Sequence, residues 1–461
     1  MGREKKYSIF FSLTPILYLV VSILFFRYVW IVSYPHPLAL CLAGCLAYLQ
    51  RLHHKFVFLH SAFRKNLLSV FPAMEILFLV GLLIASWAYS GVLLTMMQIG
   101  TILIEPKLFL PSVAIVSAIA SMVSGSSWTT AGTLGVALMG VSKIWGFSDV
   151  MAAGAIVSGC YFGDKLSPLS DTTNLASSLT HVPIWTHIRH MLKTTCMSFF
   201  LAVFCFYLLN LFVWDPSREI VLPTEIGMSQ LLQNKIIFWK LIPVFLVFGS
   251  SMFHLPVRVS FLLGIVSAFL FPILESGVSF EMFRSLVWGY KSQTGNLTWD
   301  QFLSGGGIVS ILPTEILIVS AVWFGAVVEG YGYLNEILLQ IKRWVKDQYD
   351  ILLSTMGVSF LLNLMTADQY LSLVIPARAF RTLAVEKQIP EKDISRALED
   401  SGTITSPLIP WNSCGAFMAS SLGVSVVSFL PFVFFNLIHV FLSVSILLYK
   451  KIKLKSSLFN I

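Results

Sequence analysis

The chain has 461 residues, 56% of them hydrophobic and 12% charged, with a mean hydropathy of +0.80. Soluble domains carry about 25% charged residues, so this composition excludes a soluble globular protein and predicts an integral membrane protein. The net charge of +8 does not argue for a nucleic-acid partner, because the basic residues fall in short segments between apolar runs, as the positive-inside rule expects. In chain order, stretches 8–32, 73–95, 191–213, 258–274, 313–335 and 424–448 approach the roughly 20 residues that cross a bilayer as helix. Shorter apolar stretches at 35–50 and 236–252 add to them. None alternates apolar and polar residues as a membrane barrel does. The fold class is therefore an all-α polytopic membrane protein, expected to have about 10 full spans and two hairpins.

The basic segments orient the path. "GREKK" (2–6), "RLHHKFVFLHSAFRK" (51–65), "HVPIWTHIRHMLK" (181–193), "KRWVK" (342–346) and "KKIKLK" (450–455) all fall on one side when the spans alternate, which places both termini in the cytoplasm of a bacterial-type inner or plasma membrane. Two apolar stretches are interrupted by polar tips and read as re-entrant hairpins, 109–145 from outside and 351–377 from inside. Two more, 148–180 and 398–423, read as broken crossing helices. The six cysteines lack ligand spacing and read as small buried apolar residues. His53, His54, His181, His187 and His190 read as cytoplasmic loop residues, and Trp30 and Trp214 as interfacial anchors.

The chain also repeats itself. "EILFLVGLL" begins at Glu75 and "EILIVSAVW" at Glu315; "GDKLSPL" begins at Gly163 and "GTITSPL" at Gly402. On the path above, the two glutamates start on opposite sides, so the halves are inverted. Inverted repeats with discontinuous helices near the midplane are a transporter signature. The corresponding division is N-terminal spans 1–60, a first repeat 61–215, connecting spans and loop 216–300, a second repeat 301–450 and a cytoplasmic tail 451–461.

The polar breaks have two physical explanations. Pro168 and Pro407 lack an N–H and disfavour helix at Ser167 and Ser406, so both sites should unwind, and nearby Ser, Thr and Asn side chains can satisfy the freed backbone. That accounts for many hydroxyls but not for the carboxylates, since an aspartate at the bilayer centre costs roughly 2.5–3.5 kcal/mol on insertion scales. Asp164, Asp171, Asp368, Glu399 and Asp400 all fall in or beside the irregular stretches. Together with Thr172, Thr173, Asn174, Gln369 and Asn412 they supply hard oxygen ligands, suited to a cation such as Na⁺. Desolvation and like charges raise carboxylate pKa values in general, so one site can hold a proton and release it to an arriving cation. Lys165 is expected to neutralise a neighbouring carboxylate. Ser124, Gly125, Ser127, Trp128 and Thr130 of the first hairpin tip, and Thr366 of the second, are expected to line the site.

Four motifs together resemble the NhaC-type sodium/proton antiporter family of the ion transporter superfamily. They are "SGSSWTTAGTLGVALMG" (124–140), "AGAIVSGCYFGDKLSPLSDTTNLA" (153–176), "NLMTADQYLSLVIPARAF" (363–380) and "LEDSGTITSPLIPWNSCGAFMASSLGV" (398–424). The resemblance spans most of residues 60–450. It implies two inverted repeats, a mobile transport domain beside a scaffold, elevator-like alternating access and a homodimer. Asp164, Asp171, Asn174, Asp368, Gln369, Glu399, Asp400 and Asn412 match the family's polar pattern. Ala367 departs from it, standing where glycine is common before the aspartate.

The first expectation is thus a secondary antiporter exchanging Na⁺ for H⁺ across the bilayer, with no cofactor and no enzymatic step. The alternative is a Na⁺- or H⁺-coupled transporter of a small organic acid, of the malate/lactate type, or of an amino acid on the same scaffold. A third reading, an intramembrane aspartyl protease, has only "FGD" in its favour. "SGGGIVS" (304–310) lacks the Lys-Ser/Thr of a phosphate-binding loop.

Overall fold

The computed structural model describes residues 9–51, 56–214, 238–293, 300 and 303–459. Segment 2–6 and both His53 and His54 lie outside the described residues. The described chain is helical throughout, with one isolated bridge between Tyr290 and Gly305. Six helices are long and apolar enough to cross a membrane: Leu59–Tyr89, Pro106–Ser124, Ile184–Val213, Val257–Ser276, Ile308–Gly330 and Gln348–Thr366. The pair Ser413–Leu422 and Val426–Phe432, bent by 88°, can form a seventh. Shorter apolar helices occupy Thr14–Val29, His36–Gln50, Val92–Leu103 and Phe238–Met252. The chain is a multi-pass membrane protein.

Several expected boundaries move. The span expected at 73–95 is the second half of one 34-residue helix, Phe56–Tyr89, which takes up part of the presumed loop 51–65. It ends where Gly91 adopts φ 77°, a left-handed conformation favouring glycine, and Val92–Leu103 is a separate helix. The presumed loop 181–193 is mostly the start of Ile184–Val213. Span 313–335 divides into Ile308–Gly330 and the amphipathic Tyr333–Trp344, again at a left-handed glycine, Gly332. The second hairpin continues to Glu386. Of the cysteines, Cys160 and Cys414 are buried, whereas Cys41, Cys45 and Cys196 sit on the outer surface.

The two stretches expected as hairpins both turn at their polar tips, with the same local geometry there. Helix Phe109–Ser124 stops at Gly125, φ 68°, and the extended Ser126 caps Ser127–Thr130 by accepting from the Thr129 amide. Helix Gln348–Thr366 stops at Ala367, φ 59°, and the extended Asp368 caps Gln369–Glu386 by accepting from the amides of Tyr370 and Leu371.

The two stretches expected as broken helices are both interrupted. Asp149–Leu166 ends at the extended Ser167, and Ser170 caps Asp171–Leu179. In the second, Glu391–Leu398 passes into a π-turn, Glu399–Thr403, and then a 3₁₀ turn, Ser406–Leu408. The chain straightens only at Ile409, two residues beyond Pro407, and Asn412 caps Ser413–Leu422. Pro407 sits early in the 3₁₀ turn, where a missing N–H is tolerated, so the proline marks the break without being its apex.

Two sets of helices flank these elements. Ile308–Gly330 packs on Phe56–Tyr89 and His36–Gln50, and Val257–Ser276 on Phe56–Tyr89. Ile184–Val213 packs on Phe434–Phe459, Asp149–Leu166 and the first hairpin. The first hairpin lies very close to the first broken helix because Gly159 and Gly163 present no side chain to it. A Cβ on Gly163 would stand 2.6 Å from the Met122 nitrogen and 2.8 Å from Ser121 Cβ.

Candidate cation site

Four segments distant in sequence meet around one cavity of about 140 Å³. The first hairpin tip contributes Gly125, Ser126, Ser127 and Trp128, and the first broken helix contributes Asp164, Asp171 and Thr172. The second tip contributes Asp368, Gln369 and Tyr370, and the second broken helix Ser413 and Cys414. Ser69, Val70, Pro72, Ala73 and Ile76 of the long helix, with Val257, form the remaining wall.

Asp164 is buried on the last turn of its half-helix, and Oδ2 accepts from Ser127 Oγ at 2.6 Å and from the Ser127 amide at 3.3 Å. The first tip is therefore bound to the first broken helix through a carboxylate. Asp171, first residue of the second half-helix, is exposed at the cavity edge, where the positive end of the helix dipole favours a negative charge. Asp368 is buried, and its Oδ1 caps the helix it starts, at 2.7 Å from the Tyr370 amide. Gln369 Oε1 accepts from Cys414 Sγ at 2.6 Å, tying the second tip to the second broken helix, while its Nε2 has no partner among the described residues. Trp128 both lines the cavity and stacks on Phe417, with ring centroids 4.3 Å apart. Carboxylate, hydroxyl and amide oxygens suit a hard cation, and no Lys, Arg or His is among the lining residues.

Other expected ligands do backbone work. Thr173 Oγ1 reaches the carbonyls of Asp164 and Lys165 at 3.5 and 3.4 Å. Asn174 is exposed and its amide donates to the carbonyls of Pro168 and Ser170, both at 2.8 Å. Ser167 Oγ donates to the Met122 carbonyl and Ser406 Oγ to that of Thr403. Ser124 and Thr130 bond each other behind the first tip, and Thr366 bonds the Leu362 carbonyl. Asn412 brackets the second break by accepting from the Cys414 amide and donating to Asn363. None of these lines the cavity, because a break in a water-free interior must first satisfy its own amides and carbonyls.

Glu399 and Asp400 lie behind the cavity and face different partners. Glu399 is buried; Oε1 is 3.4 Å from Thr172 Oγ1, and Oε2 has no partner among the described residues. Asp400 is the hub of a buried ion cluster. Its Oδ1 is 2.8 Å from Lys165 Nζ and 2.9 Å from His439 Nε2; its Oδ2 is 3.0 Å from Arg396 Nε and 2.8 Å from Ser443 Oγ. The Lys165 contact is an ion pair at an angle outside hydrogen-bond geometry. Lys165 thus compensates Asp400 and not its neighbour Asp164, since consecutive helical residues point in different directions.

Sequence reasoning missed Ser69, Tyr370 and Cys414 as cavity residues. The span expected at 73–95 begins beyond Ser69, and the spacing of the cysteines gives Cys414 no ligand role. It also missed His439, although a lone histidine in the apolar stretch 424–448 was a usable signal. His187, expected in a loop, is fully buried and bonds Ser395.

The family model described as the Na⁺/H⁺ antiporter family matches residues 159–451. The Na(+)/H(+) antiporter NhaC of Alkalihalophilus pseudofirmus is 32% identical, over 96% of each chain. The arginine/ornithine antiporter ArcD of Halobacterium salinarum is 35% identical over 79% of this chain and 76% of its own. The malate-2H(+)/Na(+)-lactate antiporter of Bacillus subtilis is 31% identical over 89% and 88%. A family model across more than half of the sequence, and relatives above 30% identity along most of both chains, establish that this chain belongs to the Na⁺/H⁺ antiporter family.

Proposed function

We propose that this protein exchanges Na⁺ for H⁺ by alternating access, with the cavity between the two tips and the two broken helices as the shared site. The observation that carries this reading is the lining itself, which holds three carboxylates, Asp164, Asp171 and Asp368, and no basic side chain. A dicarboxylate or a hydroxy acid would need a cationic partner there and finds none among the described residues, which disfavours the organic-acid alternative. Na⁺ and protons compete for the same oxygens, so one occupant leaves as the other arrives. No bond is made or broken and no cofactor takes part, so no residue is given a catalytic role.

In this mechanism Asp164, Asp171 and Asp368 hold the ion, with Ser127, Thr172 and Gln369 supplying further oxygens. Pairs of repeated features support an internal repeat, and the inverted orientation is part of the proposal. The left-handed tip residues Gly125 and Ala367, and the capping residues Ser170 and Asn412, are each separated by 242 positions (367 minus 125, 412 minus 170). The proposed division into repeats at 61–215 and 301–450 is consistent with this offset. About ten crossings, cytoplasmic termini and a homodimer in the plasma membrane complete the proposal, the first two from the basic segments and the last from the family resemblance. The wall from Phe56–Tyr89 is the scaffold against which the four other segments slide.

Reconstitution in liposomes tests this. Internal pH is read while Na⁺, Li⁺, K⁺, malate or an amino acid is added in turn. A pH response to Na⁺ or Li⁺ alone supports the proposal, and a response only to an organic solute refutes it.

A further inference from the structure

The long helix Phe56–Tyr89 presents Ser69, Val70 and Ala73 to the cavity. Asn66 stands three residues before Ser69 and seven before Ala73, spacings that return to the same helix face. It is 1% exposed, and among the described residues neither its Nδ2 nor its Oδ1 has a hydrogen-bond partner. The other buried asparagines differ. Asn210, Asn363, Asn412 and Asn436 each donate to a carbonyl. A buried amide left wholly unpaired opposes folding, and on the same helix face it stands one turn from the cavity-lining Ser69, which points to a ligand.

Two further oxygens lie within the same turn. Ser69 Oγ lies 2.8 Å from the Asn66 carbonyl, and whichever acceptor takes its proton, its lone pairs remain for the cavity it lines. Pro72 has no N–H for the carbonyl of Leu68, four residues earlier. Asn66 and Ser69 are about 4.5 Å apart along the helix axis, a step over which a small cation keeps contact with an oxygen throughout. Neutral oxygens replace part of a hydration shell without trapping the ion, which is what a transit position requires.

We infer that the Asn66–Ser69 turn is a second cation-coordinating station, on the long helix, which passes a monovalent hard cation to or from Asp368 in the cavity. This rests on the proposed Na⁺ cargo. The station is neutral, whereas the cavity is acidic, so the two bind the same ion with different strengths.

The test is ²²Na⁺ uptake by purified, reconstituted protein, comparing wild type, Asn66→Leu and Asn66→Ser, with the thermal stability of each. Leucine matches asparagine in size and removes the unpaired amide, so Asn66→Leu should be as stable as wild type or more so. Its KM for Na⁺ should nevertheless rise about fivefold or more, the effect of losing one oxygen contact. The Li⁺-to-Na⁺ preference should shift with it. Asn66→Ser, with a shorter oxygen, should fall between leucine and wild type. A wild-type KM and ion preference in Asn66→Leu would overturn the inference, as would a lower maximal rate with KM unchanged in both variants, the pattern of a structural role. Wild-type protein separates the two levels, because absence of Na⁺-dependent proton movement there would refute the function itself.

Discussion

Replacing Gly163 by alanine tests how the first tip is held against the first broken helix. The added Cβ would meet the Ala118 carbonyl, the Met122 nitrogen at 2.6 Å and Ser121 Cβ at 2.8 Å. Ordinary contacts begin near 3.4 Å, so the hairpin helix must retreat by about 1 Å, and backbone atoms cannot rotate away as a flexible side chain could. That retreat stretches the 2.6 Å bond from Ser127 Oγ to Asp164 Oδ2 and the 2.6 Å bond from Ser121 Oγ to the Cys160 carbonyl beyond hydrogen-bond length. Overpacking of this kind costs about 1–3 kcal/mol, and each lost bond adds about 1 kcal/mol. The assay is thermal unfolding in detergent together with Na⁺-dependent proton movement in liposomes. Gly163→Ala should unfold several degrees below wild type and show a raised KM for Na⁺, because Asp164 loses its partner. Gly357→Ala is the control: nothing lies within 4 Å of a Cβ there, and alanine in a helix interior gains up to about 1 kcal/mol over glycine. Wild-type melting and wild-type KM in Gly163→Ala would refute the close packing and, with it, the account of how Asp164 is positioned.

Further outcomes follow from the ion cluster and the cavity. Lys165→Met should destabilise by about 3–5 kcal/mol, the effect of breaking a buried ion pair, and adding Asp400→Asn should recover part of the loss; thermal unfolding of the single and double variants measures this. Asp171→Asn should remain folded and inserted, since Asp171 is exposed, yet abolish Na⁺-dependent proton movement, and wild-type rates would remove Asp171 from the mechanism. In the wild type, raising pH from 6 to 9 should lower the KM for Na⁺, because fewer protons compete for the carboxylates. Asp368→Asn keeps an Oδ1 to cap Tyr370 and Leu371 and should flatten that dependence; an unchanged profile would leave Asp368 only its capping role. Ala367→Gly removes a left-handed strain of about 1–2 kcal/mol against an entropic loss of about 0.5–1 kcal/mol, so it should raise the unfolding temperature slightly.

Much of the architecture was legible in the residues themselves. Apolar run lengths set the class, because backbone hydrogen bonding in hydrocarbon leaves only helices or closed barrels. "SGSSWTT" and "MTADQY" marked turns between helices, and "LSPLS" marked a helix break, since polar residues and proline interrupting apolar helix are tolerated only away from lipid. Helix ends were less legible: Phe56–Tyr89 outruns the membrane-length window, and its end depends on one left-handed glycine. The division of labour among the polar residues could not be read at all. Thr172 and Thr173 are adjacent and alike in chemistry, yet one lines the cavity and the other bonds the backbone of the break. Lys165 sits beside Asp164 in the chain and pairs with Asp400 in the fold. Composition and local propensity determine that such residues exist and where the helix must open. Which way each side chain points follows from the helical rotation between neighbours and from which distant segment packs against it, and only the tertiary structure decides that.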